Sequence, residues 1–206
     1  MWLRKMVEQV TGYYTGSVAV NSSSPYFPGE GEKTKALMVL GHDVDPMPPM
    51  TAAVIIYRDM KDTLRTQFSQ QMDPFNFIEN PPQTYYGTKW LEFSQREAKR
   101  WVERYNSYLD IAIPVIIVQY NQLFDPVQLQ NHLLRISNHL HVPIKQSILH
   151  CLMQMAQLSP LLPKPLKASV DPYDLIPRLD LIRMQQAELR VIARLEDAHD
   201  KFKPRT

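Results

Sequence analysis

Apolar and polar positions follow two different periods along this chain, and the switches between them mark the elements. Leu3, Met6, Val7 and Val10 recur every three or four residues and predict a first helix ending near Thr11-Gly12. Positions 16–35 are polar, carry three consecutive serines, Pro25 and Pro28, and read as a loop. Ala36 to Leu40 is a short apolar run, a buried strand that ends in Gly41-His42-Asp43. Pro46, Pro48 and Pro49 exclude a helix over 44–50. A second strand, Ala53 to Tyr57, runs into a helix with Leu64 and Phe68 on one face. After a loop over 72–87, a long helix spans about 88–108, with Trp90, Phe93, Trp101, Tyr105 and Tyr108 at helical spacings. That aromatic row reads as core rather than as a binding surface. Ile113 to Val118 is a third strand. Asp125-Pro126 opens a helix bearing Leu129, Leu133, Ile136 and Leu140; Asp caps and Pro starts helices well. Val142-Pro143 breaks it, and Ile148, Leu152 and Met155 mark the next helix. Past a Pro-rich break over 159–167, Asp171-Pro172 begins a last helical stretch, with Leu175, Leu179, Ile182, Leu189, Ile192 and Leu195 as its apolar face.

Three strands alternating with helices predict an α/β fold with a parallel sheet and right-handed crossovers. Three strands make a thin sheet, so a further strand is expected that the pattern does not reveal. The three runs 36–40, 53–57 and 113–118 are expected side by side.

The second strand stops at Arg58, and a hydroxyl, Thr66, follows eight positions later in the helix. Ligand sites of open α/β sheets lie at the carboxyl ends of strands. A guanidinium fork there, with a neutral hydroxyl close by, suits a phosphate. The same arginine also fits a plain solvated or ion-paired role.

Composition narrows the classes. The 206 residues suffice for one domain with a sizeable core, taken here as a single domain over 1–206. A net charge of +2 without a basic stripe gives no reason to expect nucleic acid as a partner. Cys151 is the single cysteine, so neither an internal disulfide nor a cysteine-based zinc site is available, and no metal is expected. No apolar run approaches the length of a transmembrane segment. Seventeen prolines against six glycines imply stiff loops and no glycine cluster for phosphate.

Several stretches, taken in order, resemble the sulfotransferases, and among them the WSC-domain-containing membrane sulfotransferases that modify glycans. Trp2-Leu-Arg4 with Glu8-Gln-Val-Thr-Gly-Tyr-Tyr-Thr-Gly-Ser17 resembles the helix after that family's phosphate loop and the turn beyond it. Leu40-Gly-His-Asp43 stands where the family has Lys-Thr-His-Glu, and Ile55-Ile-Tyr-Arg-Asp59 resembles its Arg-Asn strand end. Positions 90–101 resemble its aromatic helix, Val118-Gln-Tyr-Asn-Gln-Leu123 its Tyr-Glu-Asp-Leu turn, and Leu149-His-Cys-Leu152 a motif near its far end. The resemblance covers roughly 2–155 and weakens over the helical region 168–203. It implies a P-loop-like three-layer α/β domain with a short parallel sheet flanked by helices. It implies transfer of a sulfuryl group from the co-substrate PAPS to a glycan hydroxyl. Arg58 and Thr66 would hold the donor's 3′-phosphate. His42, beside Asp43, would be the general base that takes the acceptor's proton, a task suited to His near neutral pH. Without the resemblance, His42 reads as a loop histidine before a proline-rich turn rather than as a base.

The departures from the family shape the expectation as much as the matches. The family's donor loop precedes the position of Trp2, so its first strand and phosphate loop are expected to be missing. Leu40 replaces a lysine, Asn121 replaces a glutamate, and 158–167 lacks the family's glycine and basic pair. Lys164 or Lys167 partly substitutes at best. One good donor to developing charge is worth about 2–4 kcal/mol, so this chain alone is expected to transfer sulfate weakly or not at all. The alternative is a non-catalytic sulfotransferase-like binding protein. By resemblance the full-length family lies in the Golgi membrane and lumen; the chain as written reads as cytoplasmic.

Overall fold

The structure is a computed structural model and describes residues 2–17, 29–30, 38–40, 51–72, 82–110, 113–158 and 171–201. It is mostly helical, with a short two-stranded parallel sheet flanked by helices, in keeping with an α/β fold. The residues group into two compact units, Met1–Val54 with Ile113–Pro163, and Ile55–Ala112 with Lys164–Thr206.

In the first unit, α1 (Trp2–Thr11) buries Leu3, Met6, Val7 and Val10. Those residues pack with Ile116 and Val118 of a strand at Val115–Gln119, with Leu129, Leu133 and Ile136 of a helix at Pro126–His139, and with Leu149 and Leu152 of a helix at Gln146–Leu158. Burying each such side chain contributes roughly 1.5–3 kcal/mol. The Asp125 carboxylate caps the Pro126–His139 helix by accepting from the Val127 and Gln128 amides at 2.8 and 3.3 Å. Gly12 ends α1 at φ +80°, the left-handed conformation favoured by glycine. The Gln146–Leu158 helix, which Ile148, Leu152 and Met155 mark in the sequence, turns Leu152 and Met153 inward and leaves Met155 half exposed.

The polar stretch read as a loop contains two of the strands. β1 (Thr15–Ser17) and β2 (Gly29–Glu30) pair in parallel, and β1 pairs in parallel with β3 (Met38–Leu40), in the order β2-β1-β3. Thr15 stands opposite Met38 and Ser17 opposite Leu40. Backbone hydrogen bonding alone defines such short strands, so Thr-Gly-Ser and Gly-Glu give no apolar signal. The expected row of three strands is therefore divided. β3 belongs to this sheet, whereas β4 (Ala53–Tyr57) and β5 (Val115–Gln119) form the two-stranded one. At its start β4 is tied within the first unit by the Ala53 amide donating to the Pro114 carbonyl at 2.9 Å.

The second unit takes the carboxyl end of β4, then α2 (Met60–Met72), α3 (Thr88–Leu109) and α6 (Arg178–Lys201), the helices of the first unit at 126–139 and 146–158 being α4 and α5. Met60, Leu64 and Phe68 form the buried stripe of α2. Trp90, Phe93, Trp101 and Tyr105 of α3 are buried, as the aromatic row predicts. Phe68 meets Trp90 and Phe93 with ring centroids 5.1 Å apart in each case. A short 3-10 helix, Pro172–Leu175, is anchored where the Trp90 indole donates to the Pro172 carbonyl at 2.9 Å and the Tyr173 hydroxyl to the Lys61 carbonyl at 2.9 Å. The buried row of α6 keeps only part of the expected one: Leu195 is buried as expected, but Met184 and Val191 face inward with it while Leu179, Ile182 and Leu189 are exposed. The helix carries two apolar rows, and packing against α3 selects the one with Met184 and Val191.

Candidate functional site

Every described residue of the candidate site lies in the second unit, where β4 hands over to α2. The β-branched run of β4 alternates inward and outward at its end, with Ile55 and Tyr57 buried and Ile56 exposed. Two residues later α2 begins. Asp59 and Asp62 offer carbonyls to hydroxyls one turn on: Thr63 Oγ1 donates to the Asp59 carbonyl at 2.9 Å and Thr66 Oγ1 to the Asp62 carbonyl at 2.8 Å.

The half-buried Arg58 reaches along the first two turns of α2, and its Nη2 donates to Thr66 Oγ1 at 2.9 Å. The two residues that the sequence pairs at a distance of eight positions are thus in direct contact. Residues 58 and 66 project to one side of the helix start because the strand-end residue looks down the axis onto the second turn. His42 lies outside the described residues.

α3 fixes the strand end through its aromatic row. Tyr105 Oη donates to the Ile56 carbonyl at 3.0 Å and accepts from the Arg58 amide at 3.2 Å. The Trp101 indole donates to the Arg58 carbonyl at 3.3 Å. Tyr57 stands edge-on to both rings, with centroids 5.9 Å from Trp101 and 5.8 Å from Tyr105. Burial pushes the Tyr105 phenol above its ordinary value, which keeps its proton in place as a donor. The row read as core does pack as core, and its polar atoms also set the backbone that carries Arg58.

A residue that the sequence reading passed over completes the junction. Glu188 of α6 accepts from the Met60 amide at 2.7 Å and so caps the first turn of α2 from 128 positions away. Burial raises the Glu188 carboxyl above the usual range; the Asp59 charge adds to this, and the Met60 amide and Lys61 oppose it. The Tyr57 phenol is also raised, first by burial and then by the charges of Glu188 and Asp59. Glu188 lies four residues after Met184 and three before Val191, inside the buried row of α6, a row that its sequence spacing does not single out. Lys61 is engaged elsewhere, 5.0 Å from the Tyr173 ring centre and 4.0 Å from Asp171.

In the first unit, the stretch that carries the resemblance most strongly closes on itself. Arg4 Nε donates to Thr15 Oγ1 at 3.0 Å, and both the Thr15 amide and its hydroxyl donate to Glu8 Oε1 at 2.8 Å. Arg4 is 4% exposed and Thr15 fully buried, so this network fixes the turn from α1 into β1.

Among the described residues no three His, Cys, Asp or Glu side chains are placed to hold a metal ion, and no helix is long and apolar enough to cross a membrane. Compared with known proteins, the chain matches no family model, and no match is found among curated proteins or among solved structures.

Proposed function

We propose that this chain is a sulfotransferase-like domain that binds a phosphoadenosine nucleotide, PAPS or its adenosine bisphosphate product, through Arg58 and Thr66. The observation that carries the reading is the 2.9 Å contact between the Arg58 guanidinium and the Thr66 hydroxyl at the carboxyl end of β4. A guanidinium presents five N–H donors in a planar fork matched to phosphate oxygens. The hydroxyl adds a neutral donor once it turns its proton from the Asp62 carbonyl toward the ligand. The acceptor in this reading is a glycan hydroxyl, and His42 is the base that accepts its proton. The sulfuryl group passes from the phosphosulfate to the acceptor oxygen, and the bisphosphate leaves.

A second reading has its own support. The Met60 amide is already taken by Glu188, and the Thr66 proton by Asp62, so these two donors are satisfied by the chain itself. That favours a protein that keeps the binding architecture without turnover. The test is transfer of labelled sulfate from PAPS to sialylated and unsialylated glycans, comparing this chain with one extended upstream. Turnover abolished by His42→Ala supports the enzyme. Nucleotide binding without turnover in either chain supports the second reading, and loss of both overturns the proposal.

A further inference from the structure

α6 is buried along one side and carries a second apolar row along the other. Met184, Val191 and Leu195 pack inward, while Leu179, Ile182 and Leu189 stand exposed, Leu189 the most at 64%. An α-helix turns once in about 3.6 residues, so the steps from Leu179 to Ile182, Leu189 and the exposed Ala193 keep all four on one face. Single exposed apolar residues are ordinary, whereas an apolar row rimmed by charged residues marks a surface that meets another molecule.

The charges along this face are ordered. Arg178, Arg183 and Arg190 lie beside the apolar row, Glu196 and Asp197 follow its end, and all five are exposed. Arg183 has only a distant partner, the Asp180 carboxylate at 3.5 Å. Arg178, Arg190, Glu196 and Asp197 make no ion pair or hydrogen bond among the described residues. A helix that is basic first and acidic last is complementary to one running the opposite way, and α6 of a second copy supplies that order. A parallel copy sets arginine beside arginine and acid beside acid. An anionic membrane attracts the arginines but repels the carboxylates at the far end of the row.

We propose that this face of α6 is a self-association surface, on which α6 of a second copy packs antiparallel about a two-fold axis near residues 190 and 191. That register sets Leu189 against Ala193 of the partner subunit, and by symmetry the reverse, so the apolar centre closes on itself. Arg183 then stands opposite Asp197 of the partner subunit, because the two positions lie seven residues to either side of 190, and the pair forms twice. Gln186 faces Glu196 of the partner subunit, where its amide donates to the carboxylate. Arg190 lies beside the axis and keeps its guanidinium in water, as it does in the single chain. The apolar centre is small and the ion pairs stay near solvent, so the dimer is weak and depends on concentration.

The experiment is sedimentation equilibrium of the full chain from about 1 to about 200 µM, where a reversible dimer with a Kd of about 10–100 µM is expected. Leu189→Glu should weaken it about tenfold or more. Arg183→Glu alone and Asp197→Arg alone should each weaken it severalfold, because like charges then meet across the axis. An equimolar mixture of those two variants should restore it, since each altered charge then meets its opposite. All three positions are exposed, so circular dichroism of the variants should match wild type. A chain that stays monomeric throughout the range overturns the proposal, as does a dimer that Leu189→Glu leaves intact or a mixture no tighter than either variant alone. Cosedimentation of the monomer with phosphatidylserine vesicles, abolished by Leu189→Glu, would assign the face to a membrane and overturn it too.

Discussion

Replacing Tyr105 with phenylalanine removes one oxygen atom and leaves every ring contact of α3 in place, which makes it a clean probe of how the strand end is held. That oxygen donates to the Ile56 carbonyl at 3.0 Å and accepts from the Arg58 amide at 3.2 Å. The ring is 8% exposed, so solvent is a poor substitute at either backbone group. Each hydrogen bond contributes about 0.5–1.5 kcal/mol net, so Tyr105→Phe should cost about 1–3 kcal/mol. For a chain of this size each kcal/mol lowers Tm by about 2–4 °C. The expected fall is then roughly 4–8 °C at the middle of the range, measured by scanning calorimetry. The packing of Tyr57 against residue 105, with centroids 5.8 Å apart, should survive, so near-ultraviolet circular dichroism should change little. A melting temperature within about 1 °C of wild type would refute the reasoning, because it would mean that the α3 hydroxyl does not set the backbone at Arg58.

Three further outcomes are expected. Gly12→Ala should destabilise by about 1–2 kcal/mol in urea unfolding, since φ is +80° and the new Cβ meets Lys145 Nζ at 2.8 Å; the flexible lysine can move, so backbone strain supplies most of the loss. Asp125→Ala removes the acceptor of the Val127 and Gln128 amides and should cost about 1 kcal/mol, whereas Asp125→Asn should cost a few tenths. His139 is held below its ordinary value, first by burial and then by His141, so its contribution to stability is present above the ordinary value of 6.5 and lost as pH falls through the lowered one. His139→Gln should accordingly flatten the acid side of the urea midpoint profile, and an unchanged profile would contradict this assignment.

The parts of the fold that were legible in the sequence are those where burial writes a period into the chain. Leu3, Met6, Val7 and Val10, the Leu129–Leu133–Ile136 row and the aromatics of α3 all follow from spacing because packing demands it. β1 and β2 were not legible, since pairing through the backbone asks nothing of Thr-Gly-Ser or Gly-Glu. On α6 two apolar rows compete, and sequence alone does not show which one meets α3. Arg58 and Thr66 could be singled out as a pair because a strand end and a helix turn fix where each residue points. Glu188 could not, because its partner amide lies 128 positions away, and only the tertiary packing of α6 brings them together.

The claim that matters most is that the Arg58–Thr66 pair is built for a phosphate. Isothermal titration of the full chain with adenosine 3′,5′-bisphosphate tests it directly. A charge-assisted hydrogen bond is worth about 1.5–3 kcal/mol, so Arg58→Ala should weaken binding roughly tenfold or more. Lys61→Ala should change it far less, because Lys61 is committed to Tyr173 and Asp171. Wild-type binding that Arg58→Ala leaves intact, or that Lys61→Ala weakens more, would contradict the account.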